Sequence, residues 1–215
     1  SSFSSNFLNG YYKYDDEGVE GRKVNVVENG VLKNFLLSRT PVEIDGKSNG
    51  HGRGQLGNNT VARQSNMFIE CNKPYSNDDL RKKMIKECKK QKKEYGYFFD
   101  EVIGGFTFTD RYTPNVFNII PIKVYKVYVD GRPDELVKGV GLIGTPLAMF
   151  SMIEAAGNDH EVFNGFCGAE SGHVPVSTIA PSIFVRQIET QLTPKNKVEL
   201  PLLARPDFEL KSLDK

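Results

Sequence analysis

The sequence predicts an α+β fold: a twisted, mainly antiparallel β-sheet, able to curl into a partial barrel, accompanied by two principal helices. Three observations carry that expectation. Runs rich in β-branched and aromatic residues fill much of the second half, an Asn29-Gly30 pair joins two apolar runs near the start, and only two segments carry the polar caps of a helix.

In chain order, Lys23–Val27 and Val31–Leu36 read as strands joined across Asn29-Gly30, a pair that accepts the positive φ of a tight hairpin turn. Ser48–Thr60 follows with four glycines and almost nothing apolar, which predicts an exposed, specially shaped loop. Residues 76–95 read as a helix, with a Ser76/Asp79 capping box, an apolar face of Leu80, Met84, Cys88 and Tyr95, and Gly96 as terminator. Its other face is dense with lysine, the usual pattern of a solvated face. Strands are expected over Phe98–Phe108, Val116–Val129, Leu136–Ile143 and Ile183–Ile188. Pro121 cannot donate to a ladder, so its strand should lie at an edge or carry a bulge there. Thr145 and Pro146 start a second helix running through Leu147–Ala156 to Gly157, short and mostly buried. From Thr193, with Pro194, Pro201 and Pro206, an extended wrapping tail is expected.

Composition excludes several classes of function. The 28 basic and 27 acidic side chains leave a net charge of +1, so no overall field exists to hold nucleic acid or an anionic membrane. No stretch approaches the roughly 20 apolar residues of a membrane helix, and the polar Ser1–Asn6 lacks a basic region followed by an apolar run. Cys71, Cys88 and Cys167 are odd in number and widely spaced, which fits a reducing cytoplasm better than a disulfide framework.

Local motifs for chemistry are sparse. Gly52-Arg53-Gly54-Gln55-Leu56-Gly57 matches a dinucleotide fingerprint by spelling, yet no apolar strand leads into it. Asp15-Asp16-Glu17-Gly18 is an acidic turn without the alternating ligands of a calcium loop, and such turns are usually solvated. His51, His160 and His173 are too scattered to form a paired-histidine metal motif. Cys167 sits among glycines before a short extended run, where the thiol should be exposed, yet by residue type alone it reads as a structural cysteine.

Five segments in order carry a resemblance: Tyr14-Asp15-Asp16-Glu17-Gly18; Val27-Glu28-Asn29-Gly30-Val31-Leu32; Ser48-Asn49-Gly50-His51-Gly52-Arg53 with Arg63-Gln64-Ser65-Asn66; Lys138-Gly139-Val140-Gly141-Leu142-Ile143-Gly144; and Cys167-Gly168 through Pro175-Val176. Together they resemble the C-terminal half of TldD/PmbA proteins over nearly the whole chain. The resemblance implies a cytoplasmic zinc peptidase acting on unfolded or modified peptides, its metal held by a His-Glu-x-x-x-His helix and a distant cysteine matched by Cys167. Two imidazoles and a thiolate leave a fourth position at which zinc brings the pKa of water to about 7.

That helix belongs to an upstream domain of the same polypeptide, so residues 1–215 are expected to be a single C-terminal domain, without catalytic residues of its own and inactive alone. Zinc is the cofactor implied for the parent protein, and a homo- or heterodimer with another family member its assembly. Family members lacking the metal motif tend to lack the Cys-Gly segment as well, so Cys167 favours an active-type parent. His51 and His173 depart from the asparagine and glutamine common there, which bears on substrate preference. For the glycine loop, two readings stand: its backbone pairs with a peptide substrate, with Gly50, His51, Gly52, Arg53 and Asn66 as the binding residues, or the glycines serve tight geometry. The alternative to a peptidase domain is a non-catalytic peptide-binding or assembly module, expected if no upstream metal motif exists.

Overall fold

The computed structural model describes residues 8–41, 46–109, 112 and 114–192. The expected tail from Thr193 and the polar opening lie outside them. In chain order the elements are β1 (Val27–Glu28), β2 (Val31–Leu32), β3 (Gly52–Arg53), β4 (Val61–Ala62), β5 (Asn66–Phe68), α1 (Asn77–Lys90), β6 (Tyr95–Phe108), β7 (Val116–Tyr128), β8 (Glu135–Val137), β9 (Val140–Gly144), α2 (Pro146–Ser151), β10 (Ile153–Ala156), β11 (Glu161–Ala169), β12 (Gly172–Ala180), β13 (Ile183–Val185) and β14 (Glu189–Leu192). Sheet predominates, the pairing is antiparallel except between β12 and β5, and no sheet closes into a barrel among the described residues. The α+β expectation holds.

The chain divides into two compact units, Ser1–Lys93 with Ser151–Arg186, and Glu94–Phe150 with Gln187–Lys215. No shift in composition marks that division.

Among the described residues the second unit contains one antiparallel sheet in the order β14-β9-β7-β6, with β8 also on β7, and all of α2 except Ser151. Phe117, Val124, Val127 and Leu142 are its buried side chains. Register shifts between Phe99 and Gly104 bulge β6 opposite Pro121, as the missing N–H of proline requires. On the other edge of β7, β9 pairs with Phe117–Ile119 and β8 with Val124–Lys126, so Pro121 also falls between its neighbours. The expected strand over Leu136–Ile143 is two strands, β8 and β9, parted at Lys138-Gly139, where Gly139 takes φ 76°.

In the first unit, α1 begins as its sequence requires: the Ser76 side chain accepts from the Asp79 amide and closes the first turn. Leu80 packs with Ala155 and Phe184, and Met84 lies against them. The helix stops at Lys90 rather than at Gly96, because Lys92 turns the chain at φ 56° and the alternating aromatics from Tyr95 onward pair with β7 instead. The second helix is likewise shorter than expected. It ends at Ser151, has no buried residue and leaves Leu147 82% exposed; Ile153–Ala156 forms β10, whose Ala155 and Ala156 pair with Phe184 and Ile183. Packing against β13 outweighs the helix propensity of Glu-Ala-Ala. The Asn29-Gly30 hairpin is present, with φ 51° and 77° at its turn, but it carries only the pairs Val27↔Leu32 and Glu28↔Val31 and is exposed.

Candidate functional site

Cys167 lies near the end of β11, which runs antiparallel to β12 through a two-residue turn at Glu170-Ser171; Gly172 beyond it takes φ 83°. β12 is central, with β11 on one side and β5 parallel on the other, so β11 is an edge strand among the described residues. Directly paired residues project to one face of a ladder, which puts Cys167 beside buried Val174, and His173 with Gly168 on the opposite face. Composition suggests an exposed cysteine ahead of a short run. The segment is instead a nine-residue strand, and the thiol is free and only partly exposed.

Two arginines, each 6% exposed, hold this hairpin. Arg63 donates from one terminal nitrogen to Ser171 Oγ at 2.7 Å and the Gly172 carbonyl at 3.1 Å, and from the other to the Cys167 carbonyl at 2.5 Å. Arg53 donates to the carbonyls of Gln64 at 2.8 Å and Pro175 at 2.7 Å, and its guanidinium lies 4.9 Å from the centre of the Tyr12 ring. Burial lowers the guanidinium of Arg53 from its ordinary value, opposed by the charges of Tyr12, Asp16 and Cys167 and reinforced by Arg63. Gln55 adds a third tie: its amide donates to the Ser171 carbonyl and its Oε1 accepts from the His173 amide.

The glycine loop is not the exposed feature its composition suggests. Gly50, His51, Gly52 and Arg53 are buried, and only residues 55–59 are exposed. Asp15 organises it. Its carboxylate, itself buried, accepts from the amides of Glu17 at 3.0 Å, Val19 at 2.8 Å and Gly52 at 2.8 Å, while Asp16 accepts from Gly54 at 2.8 Å. The acidic turn, expected to be solvated, is therefore a structural partner of the loop. The amides of Gly50 and His51 donate to Ser48 Oγ and the Leu37 carbonyl, and the Gly50 carbonyl accepts from the Tyr12 hydroxyl at 2.7 Å. Tight geometry accounts for Gly50, where a Cβ would overlap the Glu20 carbonyl, while a Cβ on Gly52 would displace the Glu17 carboxylate.

The expected site residues are thus brought together only in part. Arg53 and Asn66 reach the β12 side of the hairpin, Asn66 by pairing with Ser177, although its Oδ1 is buried without a hydrogen-bond partner. His51 turns its Nδ1 toward Asn49, and His160 Nε2 lies 3.0 Å from the Ile69 carbonyl. No group of three His, Cys, Asp or Glu among the described residues could hold a metal ion. Arg63 and Ser171 do not stand out in the sequence as working residues; Arg63 appears there only as part of a motif, since its acceptors lie 104 to 109 residues away.

Burial lowers the His51 imidazole from its ordinary value, with the Asn49 hydrogen bond and the Asp15 charge opposing. The folded state thus disfavours protonation, and on acidification the unfolded chain takes up the proton first. Stability from this group is complete above an unfolded pKa of about 6.5 and is lost as pH falls through the depressed folded value. His51→Asn is expected to flatten the dependence of the urea midpoint between about pH 7 and 5; an unchanged slope would assign the effect to other groups.

Comparisons with known proteins agree on one family. Residues 5–191 match the PmbA/TldA metallopeptidase C-terminal domain. The chain is 34% identical over 168 residues to Metalloprotease MJ0996 of Methanocaldococcus jannaschii, covering 78% of this chain and 34% of that protein. It is 29% identical over 178 residues to the Zinc metalloprotease TldD homolog of Saccharolobus solfataricus, covering 82% of this chain and 37% of that one. The chain therefore spans little more than a third of these relatives. In fold it is similar to the crystal structure of TldE from Thermococcus kodakarensis, with a TM-score of 0.58, 17% identity and coverage of 83% of this chain and 36% of that one. No helix among the described residues is long and apolar enough to cross a membrane. With the match running through the acidic turn, the glycine loop, both arginines and the cysteine hairpin, the chain belongs to the PmbA/TldD metallopeptidase family, as its C-terminal domain.

Proposed function

We propose that this domain supplies one zinc ligand, the Cys167 thiolate, to a cytoplasmic peptidase whose remaining ligands and general base lie on another part of the polypeptide. The observation that carries this reading is that Cys167 is a free, partly exposed thiol on a strand whose backbone is anchored at Cys167 itself by a buried arginine. A soft thiolate suits zinc, and a single anchored thiol with no co-ligand cluster among the described residues fits one ligand position rather than a whole site. Zinc in such a site acts as a Lewis acid that makes water nucleophilic near neutral pH.

The chain's own part is positional. The hairpin holds the sulfur in place, and β11, with a ladder partner on only one side among the described residues, offers backbone groups to an extended peptide substrate. We assign peptide contact to β11 rather than to Gly50, His51 and Gly52, whose amides already donate within the chain. The same reading includes a homo- or heterodimer with a second family member.

The test is zinc stoichiometry of the full-length protein with and without Cys167→Ala. About one zinc per chain, lost on substitution, is the expected result. Zinc retained by the variant removes Cys167 from the metal, and no zinc in either protein leaves the non-catalytic peptide-binding module as the better reading.

A further inference from the structure

We infer that Arg63 is the positioning residue of the metal-ligand cysteine: its guanidinium fixes the β11–β12 turn so that the Cys167 sulfur is presented in one place. The inference rests on the reading of Cys167 as a ligand and goes beyond it by naming what holds that ligand. Three features support it.

The first is the set of acceptors. A single guanidinium spans both strands and the turn between them, bonding Cys167 on β11, Gly172 on β12 and the hydroxyl of Ser171, a residue only 1% exposed. The bond to β11 is made at the carbonyl of the cysteine itself, a few bonds from the sulfur.

The second is what the hairpin lacks. Gly165, Gly168 and Gly172 lie within two residues of Cys167 or directly across the turn, and glycine leaves the backbone free to deform. Since β11 has no second ladder neighbour among the described residues, the sheet restrains it from one side only. A zinc–sulfur bond of about 2.3 Å tolerates little displacement, so a ligand on such a strand needs an added restraint.

The third is charge. The three acceptors of Arg63 among the described residues are neutral oxygens, and Arg53, which shares the hairpin with it, carries a like charge. A buried cation with no ion pair among the described residues carries a desolvation penalty that three neutral hydrogen bonds offset incompletely. A cation buried on those terms is better explained by the geometry it imposes, since a rigid planar fork holds three oxygens at fixed angles and a flexible lysine does not.

The experiment compares the full-length protein with Arg63→Lys, Arg63→Gln, Ser171→Ala and Cys167→Ala. Zinc affinity is measured by competition with a chromophoric chelator, the thiolate-to-metal band is recorded after cobalt substitution, and metal-free thermal unfolding is followed in parallel. Arg63→Lys is expected to weaken zinc by about 10- to 100-fold and Ser171→Ala by less, each with a weakened or shifted thiolate band while the bands from the remaining ligands persist. Should Arg63→Gln fail to fold, Arg63→Lys and Ser171→Ala carry the test. Wild-type affinity and an unaltered band in both, alongside zinc loss in Cys167→Ala, overturn the role of Arg63 and leave the ligand assignment intact. Zinc retained by Cys167→Ala overturns the assignment, and this inference with it.

Discussion

Gly50→Ala is expected to destabilise the full-length protein by about 3–5 kcal/mol, enough to deplete the folded form at physiological temperature. Two effects combine at this position. The residue adopts φ 78°, where an L-side chain costs about 1–2 kcal/mol. In addition, the added methyl would overlap the Glu20 carbonyl and lie within 2.7 Å of Gly21 Cα, and main chain cannot yield as a flexible side chain can. Gly57→Ala is the control, because Gly57 takes φ 91° and a methyl added there meets nothing within 4 Å. It should show the conformational part alone, about 1 kcal/mol. Urea midpoints of the two variants measure the difference, and equal losses would mean that Gly50 is not packed against Glu20.

The second large effect is expected at Asp15. Asp15→Ala removes the acceptor of three amides at once, on Glu17, Val19 and Gly52, and should cost about 2–4 kcal/mol, given about 1–3 kcal/mol for the buried Gly52 donor left unpaired and less for the part-buried Glu17 and Val19 donors, which water can reach. Asp15→Asn keeps the shape and one acceptor oxygen, so it should lose less. Amide exchange supplies a local reading: Glu17, Val19 and Gly52 should lose protection while α1, held by its own cap and core, keeps it. A variant that melts with the wild type would show that the acidic turn is solvated after all, as its composition first suggests.

Both positions illustrate how much is legible in the sequence. Asn29-Gly30, Ser76 with Asp79, and the bulge at Pro121 are readable because turn, cap and ladder chemistry act between residues a few places apart, and each is where the local sequence puts it. The long strands β6 and β7 are readable from their aromatic and β-branched runs for the same reason. Where local propensity competes with a distant partner it misleads: Glu154-Ala155-Ala156 favours helix alone and becomes strand against β13, and Tyr95 reads as the last turn of a helix ended by Gly96, yet both pair with Val127-Tyr128 in the fold.

The candidate site divides the same way. Cys167 stands out by its motif, and the glycine loop by its composition. That residues 50–53 of the loop are buried, and that Gly50 and Gly52 pack on the backbone and acidic turn of residues 15–21, follows from partners that composition does not name.

By itself, then, the sequence determined the α+β class, the capped start of α1, the strand-rich second half and the family to which the chain belongs, because these rest on periodicity, turn chemistry and ordered motifs within short windows. Only the tertiary structure decided that Asp15 holds the glycine loop, that Arg53 and Arg63 close on the cysteine hairpin, and that β11 is an edge strand among the described residues. The reason is physical: a buried donor takes whichever acceptor the fold brings near, and Arg63 finds the Cys167 carbonyl 104 residues away and Arg53 the Pro175 carbonyl 122 away, separations at which no local pattern records a contact.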